Sequence, residues 1–250
     1  MSSCAASPSA SPAARIQALY DAAAAVFGPN KAMRGRPRDA DLAELCTAMD
    51  RVTPADLDLP PGPPKEGLLG ALGIGPKADI TYYEPSEPLE THHFTVGVFC
   101  LAPGASIPLH DHPGMVVASK LLTGKLRVRS FDWVDVDDEP ATATRARRAK
   151  CVRSEGSEVS AGNAPVMVLH ANDGGNIHEF TAVEYACILD VLAPPYDVNG
   201  SRPCTYYREA KPPQEDGAVW LNTFEPPSSF QVVRRRYTGV RPQLTRVHGL

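Results

Sequence analysis

Residues 104–124 read GASIPLHDHPGMVVASKLLTG. Within this stretch His110 and His112 stand two apart, flanked by Pro108 and Pro113. On a strand or its extended lead-in, side chains two apart project to the same face. Both imidazoles then converge on one point while Asp111 points the other way. The prolines restrict the backbone on either side and help hold that geometry. Neutral imidazole is the commonest transition-metal ligand, and two of them half-build a site. A lone HxH pair also fits surface or hydrogen-bonded histidines, so the surrounding chain decides between the readings.

From about Ile80 onward, strand-like runs recur: ITYYE, HFTVGVFCLA, MVVASKLLTG, KLRVRSFDWVDV, PVMVLHA, HEFTAV and EYACILDVLA, separated by Gly, Pro and Asn-Asp clusters. Many strands with short turns make a sandwich or a small barrel. The N-terminal part reads differently. From Ala13 to Phe27, Ile16, Leu19, Tyr20, Ala23 and Val26 share one helical face, and Gly28-Pro29 ends it. A second helix is predicted from Asp39 to Val52, with Leu42, Leu45, Cys46 and Met49 inward. A shorter one begins at Thr53, an N-cap before Pro54. The segment LPPGPPKEGLLG breaks the helical region from the rest. We therefore divide the chain into a flexible tail (1–12), a helical region packing on the barrel (13–72) and a barrel domain (73–250). The basic stretches TRARRAK (144–150) and Arg234–Arg236 read as solvated loops or hairpins.

Composition bounds the rest. The 250 residues carry a formal charge of −4, which gives no reason to expect nucleic-acid or membrane binding. Hydrophobic content of 43% allows an ordinary core. Six scattered cysteines, none in a CxxC pair, read as reduced thiols of a cytosolic or nuclear protein. The N-terminus lacks an apolar leader, and no apolar run is long enough to span a bilayer.

The opening stretch resembles the first cupin signature: Gly104, five residues, the HxH pair, and a closing Gly124. The register is kept if Val117 takes the position of that signature's glutamate, so the usual carboxylate ligand is missing. GGNIHEF, with Gly175 and His178, is a partial match to the second signature. The resulting candidate metal site is His110, His112 and His178. His170 competes for the third place, although HANDGGN reads as a loop tip. His92 and His93 read as structural or exposed, and His248 as near a loose end. Three neutral ligands leave several coordination positions open, unlike a closed four-ligand structural zinc site. Ferrous iron there implies O2 chemistry; manganese, copper and zinc fit the same donors.

PLHDHPGM, SKLLTGKLRVRSFDWVD, GGNIHEF and ILDVLAPPYD together resemble the plant cysteine oxidases, relatives of animal cysteamine dioxygenase, from about Ile74 to the C-terminus. The resemblance implies a mainly β fold, a cupin-type double-stranded β-helix (jelly-roll) barrel with N-terminal helices. It implies Fe(2+) as cofactor and an enzyme that adds both atoms of O2 to the sulfur of an N-terminal cysteine. The substrates implied are transcription factors of the ethylene-response type. Their oxidised ends feed the N-degron pathway and make the enzyme an oxygen sensor in cytoplasm and nucleus; nothing in the sequence suggests an obligate partner, so a monomer is expected. Two catalytic candidates come from the same resemblance. Asp190 is a carboxylate behind the ligands, near the substrate amine or a metal-bound water. Tyr196 is a loop tyrosine at the site mouth, able to hydrogen-bond bound oxygen or substrate. Asp111 reads as a structural salt bridge, Trp133, Cys100 and Cys187 as core, and Cys204 as inert. Arg127 and Arg129 alternate along one strand, and one of them pointing inward would suit a free amino-acid substrate. Two alternatives stay open: a dioxygenase of small thiols (cysteine or cysteamine), and a non-catalytic cupin binding module.

Overall fold

The computed structural model describes residues 10–29, 36–63, 79–85, 93–135, 140–154, 156–197, 200, 202–211 and 217–243. Helix α1 is Pro12–Phe27 and α2 is Asp39–Asp50, followed by a 3-10 turn, Pro54–Leu57. The strands are β1 (Ile80–Tyr83), β2 (Thr95–Leu101), β3 (Ser106–His110), β4 (Val116–Thr123), β5 (Lys125–Trp133), β6 (Arg147–Arg153) and β7 (Glu158–Ser160). They continue with β8 (Met167–Leu169), β9 (Ile177–Ala182), β10 (Ala186–Ala193), β11 (Tyr207–Lys211), β12 (Ala218–Thr223) and β13 (Val232–Arg235).

Two sheets face each other as a cupin jelly roll. One runs β13-β1-β2-β10-β4-β8, the other β11-β12-β6-β5-β9-β3 with β7 paired to β5. A bridge between His110 and Tyr206 brings the free edge of β3 to the start of β11, so the second sheet nearly closes on itself. Strand alternation sorts β4: Val117, Ser119 and Leu121 face the interior, while Ala118, Lys120 and Leu122 face the helices. β10 is buried on both faces, which explains its unbroken apolar reading. Gly124 joins β4 to β5 at φ +80°; a Cβ there would lie 2.0 Å from the Tyr185 carbonyl oxygen, so only glycine fits.

The helices cover the outer face of the first sheet. The predicted inner residues Ile16, Leu19, Tyr20, Ala23 and Val26 are all buried, together with Leu42, Leu45 and Met49, against Val98, Ala118, Leu189 and Val191. Three details differ from the sequence reading. α1 starts at Pro12, capped by the Ser11 hydroxyl, one residue inside the expected tail. α2 stops at Asp50, and Cys46 is only half-buried. The expected tail over residues 1–9 lies outside the described residues. The third element is confirmed at Thr53 as a capping box, with Asp56 accepting from the Thr53 N–H at 2.9 Å. Arg15 of α1 adds a two-pronged ion pair to Asp56 at 2.6 and 2.8 Å.

Lys120 fastens the second helix to the barrel. Its ammonium donates to the carbonyls of Met49, Asp50 and Val52 at 2.8–3.1 Å, capping the negative end of α2. Lys120→Met keeps the stem and removes the cap. We expect it to cost about 2 kcal/mol, read as a lowered denaturant midpoint, with turnover unchanged.

Each basic stretch runs partly in a strand: 147–150 belong to β6 and Arg234 and Arg235 to β13, while 144–146 and Arg236 stay in loops. β6 lies between β5 and β12, and β13 pairs in parallel with β1. The charges mislead because they break the alternation of apolar residues by which a strand is read. Ala149 is buried, while the Arg147 guanidinium lies 4.5 Å from the centroid of the Trp133 ring. Trp133 is accordingly half-buried beside Tyr207. Among the described residues no helix is long and apolar enough to cross a membrane.

Candidate metal centre

β3 and β9 are antiparallel neighbours, and the register sets His110 directly opposite His178. Ser130 of β5 flanks His178 on the other side. His112 lies two residues past the end of β3. The three imidazoles are buried and each offers one ligand nitrogen, all within 4.8 Å of one another. His112 Nε2 and His178 Nε2 stand 3.3 Å apart. The structure thus assembles the three histidines that the sequence singled out, from two separate segments.

Each ring has a fixed tautomer. His110 Nδ1 is 2.8 Å from the Pro108 carbonyl and His178 Nδ1 3.2 Å from the Gly175 carbonyl. A carbonyl only accepts, so both Nδ1 atoms carry hydrogen and both Nε2 atoms present lone pairs. Tyr196 does the same for His112: its hydroxyl donates to the Asp111 carbonyl at 2.7 Å, and its oxygen stands 2.7 Å from His112 Nδ1, where it accepts. Burial also keeps the rings uncharged, pushing His110 down to about 4 and His178 down to about 3. Burial and then the neighbouring rings push His112 down as well. Three neutral lone pairs facing one another in a buried pocket repel and lack a donor; a divalent cation satisfies all three at once. The donor set suits a first-row transition metal, and three ligands leave room for more.

The remaining candidates sort as follows. Val117, at the glutamate position, is interior and packs against Met115, Leu169 and Leu192, so it supplies no ligand. Asp190 of β10 lies on the interior face, opposite Ser119, which is its hydrogen-bond partner. Its Oδ1 has no partner among the described residues, and burial pushes the carboxyl up to about 7. It is outside the three-histidine group. The Tyr196 phenol is taken up by the His112 ring and the Asp111 carbonyl instead of standing open at the mouth. Asp111 does face away from the rings, but as a hydrogen-bond acceptor and not in the expected salt bridge. It accepts from Thr205 N at 3.0 Å and Tyr207 Oη at 2.8 Å. Neither Arg127 nor Arg129 points inward. Leu126, Val128 and Ser130 take the interior face of β5, Arg127 sits 3.9 Å from Glu158, and Arg129 pairs with Glu179 and Glu209.

His170 closes a tight loop through a bridge to Asp173, outside the histidine group. His93 is half-buried, and His92 and His248 lie outside the described residues. Cys100 and Cys187 are buried on neighbouring strands as expected. Cys204 lies beside Tyr196 and Tyr206, its thiol pushed up to about 11, first by burial. The sequence reading missed Asp132 and Asn176. Asp132 accepts from the Gly175 and Asn176 N–H groups at 2.9–3.1 Å and shapes the turn before His178. Its signal was present: GGN needs an outside acceptor for its backbone, and SFDWVD carries one. Gly175 itself sits at φ +84°, with Ser130 Oγ 2.5 Å from where a Cβ would be.

Fold and site define a cupin of the three-histidine class. The family model PCO_ADO matches residues 49–242. Plant cysteine oxidase 2 of Arabidopsis thaliana is 31% identical over 237 residues, covering 90% of this chain and 82% of its own. The 2-aminoethanethiol dioxygenase of Homo sapiens is 36% identical over 166 residues, covering 56% of this chain and 60% of its own. A cupin superfamily protein from Desulfitobacterium hafniense superposes with a TM-score of 0.31 at 12% identity, covering 54% of this chain and 95% of that one. The chain belongs to the PCO_ADO family and is a thiol dioxygenase.

Proposed function

We propose that this chain uses Fe(2+) and O2 to convert the N-terminal cysteine of protein substrates to cysteine sulfinic acid. The reaction balances as R–SH + O2 giving R–SO2H, with both oxygen atoms gained at sulfur and no external reductant. The observation that carries the reading is the set of three Nε2 lone pairs with no carboxylate among them. Iron held there supplies the redox chemistry that lets O2 react with a thiolate. The chain's own residues supply the rest. Pro108, Gly175 and Tyr196 hold the rings in the ligating tautomer. Met115, Val117, Leu169 and Leu192 keep one wall apolar. Asp190 Oδ1, without a partner among the described residues, is suited to accept a hydrogen bond from a substrate amine.

A peptide end is favoured over free cysteine because free cysteine brings a carboxylate that needs a cation. The two arginines of β5 are turned outward and paired with glutamates. Cysteamine has no carboxylate either, so the small-thiol reading remains the alternative. The proposal extends to transcription factors as substrates, to an oxygen-sensing role feeding the N-degron pathway, and to a monomer acting in cytoplasm and nucleus. The test is anaerobic iron loading, exposure to O2 with a Cys-initiated peptide or with cysteamine, and mass analysis. A gain of two oxygens on the peptide at a rate well above that on cysteamine is expected; the reverse order would favour the small-thiol enzyme. We also expect Tyr196→Phe, which loses the acceptor for His112 Nδ1–H, to weaken iron binding by about 10-fold, measured by competition with a chelator.

A further inference from the structure

Two of the three imidazoles owe their places to the sheet. His110 and His178 face each other in the β3–β9 ladder, and β5 braces β9 from behind. His112 has no such support, because β3 ends at His110 and the chain then leaves the sheet. Its backbone needs partners all the same, being buried. Asn176 provides them. Its side-chain oxygen accepts from His112 N at 2.9 Å, and its side-chain nitrogen donates to His112 O at 3.0 Å and to His170 O at 2.7 Å. The amide thus pairs with the His112 backbone as a neighbouring strand would, donor to acceptor and acceptor to donor. Met115 N adds a weaker contact to the same carbonyl at 3.2 Å.

Asn176 lies two residues before His178, and its own N–H is held by Asp132 Oδ1 at 2.9 Å. A continuous line of hydrogen bonds therefore runs from the end of β5, through the turn before β9, to the segment after β3. The two ligand-bearing segments are joined by one side chain that is 4% exposed and has its oxygen and its nitrogen both engaged. We infer that Asn176 is a positioning residue for His112, setting the separation between the two ligand-bearing segments and so the affinity and geometry of the metal site. This rests on the reading of the three histidines as metal ligands. No other side chain among these contacts engages both the N–H and the carbonyl of His112.

The geometry explains why an asparagine is required. Aspartate keeps the acceptor but sets a carboxylate oxygen against two carbonyl oxygens, losing both donors. Alanine removes the link entirely: the buried His112 N–H loses its acceptor and the His112 carbonyl keeps only the weaker contact from Met115 N. The test titrates the metal-free full-length chain with Co(II), whose visible absorption reports ligand number and geometry. Parent, Asn176→Ala, Asn176→Asp and His178→Ala are compared, with thermal unfolding of each metal-free protein recorded in parallel. The parent is expected to bind one Co(II). Both Asn176 variants should bind about 10- to 100-fold more weakly with displaced absorption bands. Should one variant fail to fold, the other carries the same expectation. Parental affinity and unchanged bands in a folded Asn176 variant, even one of lowered unfolding temperature, would overturn the inference and leave Asn176 a packing residue. A parent that binds no Co(II), or binds it no better than His178→Ala, would instead overturn the three-histidine reading.

Discussion

His178→Ala is expected to yield a folded protein that retains no iron and forms no sulfinic acid. The ring occupies the middle of the site: it faces His110 across the ladder and its Nε2 lies 3.3 Å from that of His112. Removing it leaves two imidazoles, and the loss should exceed the roughly 10- to 100-fold typical when a group behind a ligand is removed. Turnover should fall to background. The fold should survive because β9 is held by its backbone ladders to β3 and β5, and the apolar interior built on Phe180, Val128 and Ile107 keeps all its members. Iron content per chain, circular dichroism and peptide oxidation check the three parts separately. Full iron occupancy in the variant would remove His178 from the ligand set.

Asp190→Asn should separate chemistry from metal binding and should change stability with pH in a defined direction. The carboxyl is buried, its Oδ1 has no partner among the described residues, and burial raises it to about 7. In the unfolded chain it loses its proton near its ordinary value of 3.8. Between roughly pH 4 and pH 7 the native state therefore holds a proton that the unfolded state has released. Stability falls as pH rises through that window, and the full penalty applies above it. At about 1.36 kcal/mol per unit the penalty reaches about 4 kcal/mol. Asparagine cannot ionise. The metal-free variant should gain on the parent by about 3 kcal/mol between pH 5 and pH 8, read from denaturant midpoints. Parallel stability curves would show that Asp190 does not titrate in this range. Turnover should move the opposite way. If Oδ1 takes a hydrogen bond or proton from the substrate amine, kcat should drop about 100-fold with iron content unchanged. Both results together would mark Asp190 as a buried carboxyl kept at a cost in stability, the exchange expected of a functional site.

Much of the site was legible in the sequence. The period-two spacing of His110 and His112, the glycines that flank them and the GGNIHEF run identified the three histidines that converge, because side-chain direction along a strand follows from local backbone geometry. The helical faces of α1 and α2 were legible for the same reason. β6 and β13 were not, because their charged residues interrupt the apolar alternation and each strand exists through its pairing with β5 and β12, or with β1. The direction of the β5 arginines followed the same rule that placed the histidines: residues two apart share a face, so Arg127 and Arg129 turn outward together when Val128 turns in.

By itself, then, the sequence determined which three imidazoles belong together and that no carboxylate sits at the usual position among them. Only the tertiary structure decided what holds them. Tyr196 behind His112, Asp132 under the turn before His178, and Asn176 spanning the two segments join residues 44 to 84 positions apart. Hydrogen bonds across such distances depend on how the barrel closes, and no local pattern encodes them.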